Sequence, residues 1–262
     1  MSQDLLLETA PASGVAQLTL NRPDRRNALD EALIGALRDA IARHADAAAS
    51  RVLVIAAAGS AFCAGADLRG MVERGRGDPG RNVHDAEQLA ALLLAIRDCP
   101  KPVVALVQGP AFGGGVGLAA CCDVTVAADE ARFRLPEVQL GIVPAVISPY
   151  VVEAIGARHA RRLFLTGETV DAAWARELGL VHEVVAAASL EARGLELATG
   201  IAQGGPFALA TCKRLVASVA GVRPDAELAR RTARLLADLR AGAEAQEGLA
   251  AALEKRAPAW RL

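Results

Sequence analysis

The sequence predicts an α/β fold, with repeated β-β-α units over residues 1–190 and a helical part over residues 191–262. Three observations lead there. A short apolar run, a glycine-containing turn and a helix-like stretch follow one another twice, from residue 51 and again from residue 102. This repetition suits β-β-α units better than one simple doubly wound sheet. Beyond residue 185 the strand-like runs fade, and residues 190–256 are rich in Ala, Leu and Arg at helical spacing. No low-complexity linker precedes that stretch, so it is expected to pack on the core or on a neighbouring subunit.

The elements follow in order. Residues 17–21 (QLTLN) form a strand that ends in the turn RPDRRN. A helix follows, because Leu29, Leu33, Leu37 and Ile41 recur every four residues with Ile34 on the same side. Asn27 is its expected N-cap, with Asp30 completing a box-like pattern. Residues 51–57 (RVLVIAA) form a buried strand that runs into the turn GSAFCAGADL and a helix. Residues 73–82 (ERGRGDPGRN) carry the densest turn signal and are expected to be a loop. A helix from about residue 85 to 97 comes next. Residues 102–108 (PVVALVQ) form a second buried strand leading into GPAFGGGVGLAACCD, a glycine-rich turn and short helix, and residues 124–127 form another strand.

Composition narrows the function. A hydrophobic fraction of 53 % in 262 residues supports a sizeable core. The formal net charge of −1 leaves no basic excess for a nucleic acid. The Arg-rich stretches 158–162 and 230–234 are diluted by Ala and Leu, as on solvated helix faces. Five cysteines with no CxxC pair argue against a zinc site and against a disulfide framework. The opening MSQDLLLETA lacks the basic residues of a secretory signal, and no apolar run reaches the ~18 residues of a membrane span. A cytoplasmic location is expected.

The glycine loops carry the chemistry. Gly113, Gly114, Gly115 and Gly117 crowd the exit of a buried strand, where backbone N–H groups can turn toward a ligand unobstructed by a β carbon. Residues 61–68 (AFCAGADL) have the same grammar. Two such turns can each aim one N–H at a single point and form an oxyanion hole. Two other readings stay open at this level. One is a purely structural turn. The other is a dinucleotide fingerprint in GVGLAA, against which stand the short helix and acidic residues (Asp129, Glu130) arriving before the expected ~20 residues. Cys63 has no neighbouring His in sequence and is expected to be a small buried thiol rather than a nucleophile.

These segments resemble the crotonase (enoyl-CoA hydratase/isomerase) superfamily. The similar pieces are LNRPDRRNAL, VLVIAAAGSAFCAGADL, KPVVALVQGPAFGGGVGLAACCDVTVAADEARFRLPEVQLGIVP, RRLFLTGETVDAAWARELGLVHEVV, TCKRL and EGLAAALEKRAPAW, in family order across nearly the whole chain. The resemblance implies a spiral of β-β-α turns with C-terminal helices that assemble a homotrimer or a dimer of trimers. It implies an acyl-CoA thioester as substrate, with coenzyme A as part of that substrate, no separate cofactor and no metal. It maps the two oxyanion N–H groups to Ala66 and Gly114. Coenzyme A would lie against Ala28, Ala64 and Leu68, near Asp67 and Gly113, with Arg26 beside a phosphate and Lys255 reaching in from a neighbouring subunit.

Family hydratases hold one water between two glutamates. The second corresponds to Glu137 in Phe133-Arg134-Leu135-Pro136-Glu137, where Pro136 would start a short helical turn. Taken alone, a Glu after Pro is most often a helix-start residue. The first corresponds to Gly117, a departure that matters because a placed acid/base group contributes about 10²–10⁴-fold. Three readings follow: a hydratase with a different second group, an isomerase using Glu137 alone, and a non-catalytic CoA- or RNA-binding relative. A thioester hydrolase or a decarboxylase is a further chemistry of the same fold. The hydratase reading ranks first, since GIVPAVISPYVVEAIG looks most like a bacterial 3-methylglutaconyl-CoA hydratase branch. Gly117 is then expected to leave room for a branched or carboxylated acyl chain, with the substrate's carboxylate helping to hold the water. Tyr150 and Ser148 are candidate acyl-pocket residues, and His84 is a candidate neighbour of the substrate. His44, His159 and His182 look like surface or core positions, Asp67 and Asp123 are expected to order backbone, and Arg134 is placed to lower the Glu137 pKa if it faces that residue.

Overall fold

The computed structural model describes residues 4–262. Its first strand, β1 (Leu6–Ala12), pairs antiparallel with β2 (Val15–Leu20), with a bulge between Thr9 and Ala12. The largely exposed sequence LLETAPA has neither an apolar run nor a clean alternation, so β1 is an edge strand with no readable sequence pattern. Helix α1 (Glu31–Asp46) leads to β3 (Val52–Ala57), which pairs parallel with β2. Helices α2 (Leu68–Arg76) and α3 (Pro79–Asp98) precede β4 (Val103–Val107), the next parallel strand. The short β5 (Ala111–Phe112) and α4 (Gly114–Cys121) follow, then β6 (Val124–Ala128) and β7 (Arg132–Arg134). Helix α5 (Ser148–Thr166), β8 (Thr169–Asp171), α6 (Ala172–Leu178) and β9 (Glu183–Val185) complete the strands. Four helices end the chain: α7 (Leu190–Ala202), α8 (Pro206–Val219), α9 (Ala226–Ala241) and α10 (Ala243–Leu253).

The main sheet has the order β1-β2-β3-β4-β6-β9, and a second, small sheet has the order β5-β7-β8. Successive turns of chain add a strand to the main sheet, a short pairing in the second layer, and a helix. The bridges Leu29–Ala66 and Cys63–Ala111 continue that second layer between turns. Strands β3 and β4 are apolar at every position because the sheet is covered on both faces. Alternate residues separate accordingly. Leu53 and Ile55 join the core with Leu33, Leu37 and Leu93, while Val52 and Val54 pack with Leu190, Ala198 and Ala202 of α7.

Two helix expectations change. Helix α1 is capped by Asp30, whose carboxylate accepts from Leu33 N at 3.0 Å. Asn27 is not the cap; it is fully buried at φ +53° and acts as a clamp. Its Oδ1 accepts from Arg22 N at 2.8 Å, and its Nδ2 donates to the carbonyls of Ala58 and Ala61 at 2.9 Å each. The stretch 73–82 is helical rather than a loop, broken only at Gly77–Asp78. Asp67 caps α2, Asp78 caps α3, and Pro79 takes the first helical position. With the Arg74–Asp85 ion pair at 2.8 Å, these caps offset the ~1 kcal/mol cost of each helical glycine.

The C-terminal helices bury little of themselves. Thr211 is the buried residue of α8 and Ala251 that of α10, while α9 has none. Phe207, Val216, Leu236, Leu249 and Leu253 are exposed there. Among the described residues, no helix is long and apolar enough to cross a membrane.

Candidate active site

Two loops meet at the exits of β3 and β4. The first, Ala61–Leu68, turns at Gly65 with φ +92°. The second turns at Gly113 with φ +47° and starts α4 at Gly114. Their backbones touch. A β carbon on Gly65 would lie 2.9 Å from the Phe112 carbonyl oxygen, and one on Gly115 would lie 2.3 Å from the Cys63 carbonyl oxygen. Only glycine permits both the left-handed turn and this approach.

The contact leaves two donors free. Leu29 N donates to Gly65 O at 2.8 Å, and Asp67 N donates to Leu29 O at 3.0 Å. That pattern turns the intervening Ala66 N–H away from the bridge, and among the described residues no backbone acceptor takes it. Gly114 is the first residue of α4, where an N–H has no intrahelical acceptor. A β carbon on Gly65 would lie 3.6 Å from Gly114 N, so the loop that carries Ala66 lies against the start of α4, and both residues line one cavity. Such a pair can hold a developing oxyanion.

Glu137 completes the group. Pro136 precedes the 3-10 turn Glu137–Leu140, and Gly113 N donates to Arg134 O at 2.9 Å, tying this segment to the glycine loop. Glu137 Oε1 stands 2.9 Å from where a β carbon on Gly113 would be. Its Oε2 is buried with no hydrogen-bond partner. Burial raises the Glu137 pKa above its ordinary 4.5, and its own backbone N–H only partly opposes this. Arg134 does not lower it. The Arg134 guanidinium donates instead to Gly167 O at 2.8 Å and to Gln139 Oε1.

Ala66, Gly114 and Glu137 line one cavity of about 510 Å³, together with Ala64, Leu68 and Gly113. Arg26 and Ala28 lie beside it, since Ala64 N donates to Arg26 O at 2.9 Å. Ala28 is buried and Arg26 is exposed. Asp67 caps α2 through Arg69 N and Gly70 N, and these bonds lower its pKa, the Gly70 bond most. Lys255 is exposed just beyond α10 and does not line the cavity of its own chain.

Gly117 departs from expectation. A β carbon there would lie 2.4 Å from Ile147 Cγ2 and 2.9 Å from Ile147 Cβ. The room expected for an acyl branch is filled by Ile147, which lines the cavity in its place. Ser148 and Tyr150 also fall outside it. Ser148 Oγ donates to Ala145 O at 2.8 Å, and Tyr150 faces a separate cavity of about 750 Å³ with Arg97, Asp123 and Lys213. His84 does not line the site and is exposed on the first half of α3, 3.3 Å from Gln88. His44 contacts Ser50 and Glu8, and His182 accepts from Thr125 N. Asp123 accepts from Val103 N at 2.7 Å, so it orders backbone. Cys63 is buried, and burial pushes its thiol up to about 12, as suits an inert side chain. Among the described residues, no cluster of His, Cys, Asp or Glu could hold a metal ion.

The enoyl-CoA hydratase/isomerase family model matches residues 11–262. The chain belongs to that family. A 2,3-dehydroadipyl-CoA hydratase of Escherichia coli is 37 % identical over 94 % of this chain and 95 % of its own length. The crystal structure of an enoyl-CoA hydratase from Shewanella pealeana superposes with a TM-score of 0.94 at 39 % identity, covering 98 % of this chain and 96 % of the other. A Legionella pneumophila protein provisionally assigned as an enoyl-CoA hydratase/isomerase (crotonase) gives 0.94 at 42 % identity, covering 99 % and 100 %. The crotonase fold and membership of an enzyme family follow, and residues 115–120 (GVGLAA) lie within α4 rather than in the turn that leads into it. Sequence reasoning missed Ile147 in this crotonase. Its one signal was the apolar run AVI two turns beyond Glu137, which alone does not say what it touches.

Proposed function

We propose that the chain is an enoyl-CoA hydratase that polarises an acyl-CoA thioester between the N–H groups of Ala66 and Gly114 and uses Glu137 as its acid/base. The observation that carries this reading is Glu137 itself, with Oε2 buried and unpartnered and Oε1 against Gly113 of the glycine loop. As water adds to C3, Glu137 takes its proton and the C2–C3 π electrons move into a thioester enolate. The two N–H groups stabilise that enolate, and losing one such donor typically costs ~3 kcal/mol. Glu137 then returns the proton to C2 and is again a carboxylate. Coenzyme A comes with the substrate against Arg26, Ala28, Ala64 and Leu68, and no separate cofactor is needed. The assembly proposed is a homotrimer or dimer of trimers, in which Lys255 serves a neighbour's coenzyme A.

A branched or carboxylated enoyl-CoA such as 3-methylglutaconyl-CoA is the proposed substrate, on the sequence resemblance. The similarity to a hydratase of 2,3-dehydroadipyl-CoA also supports a carboxylated chain. The substrate's carboxylate then helps to orient the water. Equal hydration rates for crotonyl-CoA and 3-methylglutaconyl-CoA would overturn that assistance.

Glu137→Gln is expected to lower turnover by at least ~10²-fold while acyl-CoA still binds. Near-normal turnover in that variant would remove Glu137 from the mechanism. One observation favours a second reading, isomerisation by Glu137 alone: Ile147 fills the space beside Gly117, where a second carboxylate would stand. Product mass separates the two, since hydration adds one water and isomerisation adds nothing.

A further inference from the structure

We infer that Ile147, seated on Gly117, is the wall that sets the depth of the acyl compartment and so selects the acyl group. This rests on the reading of the cavity as an acyl-CoA site. Ile147 is 3 % exposed, yet it lines the same cavity as Glu137 and Gly114. Its seat is the bare backbone of α4. The point where a Gly117 β carbon would stand is 2.4 Å from Ile147 Cγ2, and Leu93 Cδ1 lies 3.8 Å from that same point. The wall therefore cannot retreat.

Rotation about χ1 would move Ile147 Cγ2 but not Cβ, which itself lies 2.9 Å from that point. A β-branched side chain also has restricted χ1 freedom. The main chain is pinned on both sides: Ser148 N donates to Ala145 O at 3.2 Å, and Val151 N donates to Ile147 O at 3.1 Å. Ile147 is a fixed stop in a cavity whose apolar lining also includes Leu89 and Val146. A fixed apolar wall discriminates by size, at about 10- to 200-fold per methylene.

The test compares kcat/KM for crotonyl-CoA with that for octenoyl-CoA and for a 3-methyl-branched enoyl-CoA. Ile147→Ala is expected to raise the ratio of larger to smaller substrate by about tenfold or more. Ile147→Val should move it less and in the same direction, and it keeps the readout if the alanine variant folds poorly. Gly117→Ala should move it the opposite way by pushing the wall inward. An equal loss on every substrate, with ratios unchanged, would mark Ile147 as packing only and overturn the inference. If the wild-type protein turns over no enoyl-CoA, the hydratase reading fails. The wall is then read from Kd values for butyryl-CoA and octanoyl-CoA, and an unchanged Kd ratio in Ile147→Ala overturns it separately.

Discussion

Glu137 has one carboxylate oxygen buried and unpaired, and burial raises its pKa above 4.5. The proposed chemistry needs the ionised form in the free enzyme. The acid limb of kcat/KM against pH is therefore expected above 4.5, and a limb at or below that value would contradict the burial argument. The same shift acts on stability. A carboxyl whose folded pKa is raised keeps its full contribution below its unfolded pKa, and that contribution is lost as pH rises through the folded value. Glu137→Gln should thus be at least as stable as the wild-type chain at neutral pH, with the difference vanishing in acid. Denaturant titrations at the two pH values measure this.

Elements reach the site through one clamp. Asn27 joins the turn after β2 to the loop after β3, and Ala64 N to Arg26 O continues the seam to Ala66. Asn27→Ala would leave the Ala58 carbonyl and the Arg22 N–H without their partner, leave the Ala61 carbonyl with Gln108 Nε2 alone, and place alanine at φ +53°. Each unsatisfied buried group costs ~1–3 kcal/mol, so a loss of roughly 3 kcal/mol or more is expected in chemical unfolding. Turnover should fall too, because the Ala66 N–H loses its support. A stable, fully active Asn27→Ala would show that the loop holds itself.

For the whole molecule, the apolar surface of the last three helices decides the expectation. Phe207, Leu236, Leu249 and Trp260 line an open cavity of about 980 Å³ among α8, α9 and α10. Apolar patches of this kind mark association surfaces. Light scattering is expected to give the mass of three or six chains, and Leu236→Asp with Leu249→Asp should give a smaller species. A monomeric wild-type protein would exclude the assembly.

The sequence by itself determined what depends on near neighbours. The apolar runs of β3 and β4, the helical spacing of α1 and the glycines of both loops are local patterns with local physical causes. So is Glu137 after Pro136, at the start of a helical turn. The family was legible in the order of these pieces. Tertiary structure alone decided what distant segments do to one another. Asn27 looked like a helix cap because its partners, Ala58 and Ala61, lie more than thirty residues away. The edge strand β1 became visible only through its pairing with β2. Gly117 looked like vacant space until α5 brought Ile147 onto it, thirty residues later in the chain. A glycine shows that a side chain is missing, and only the packing shows whether the space is empty.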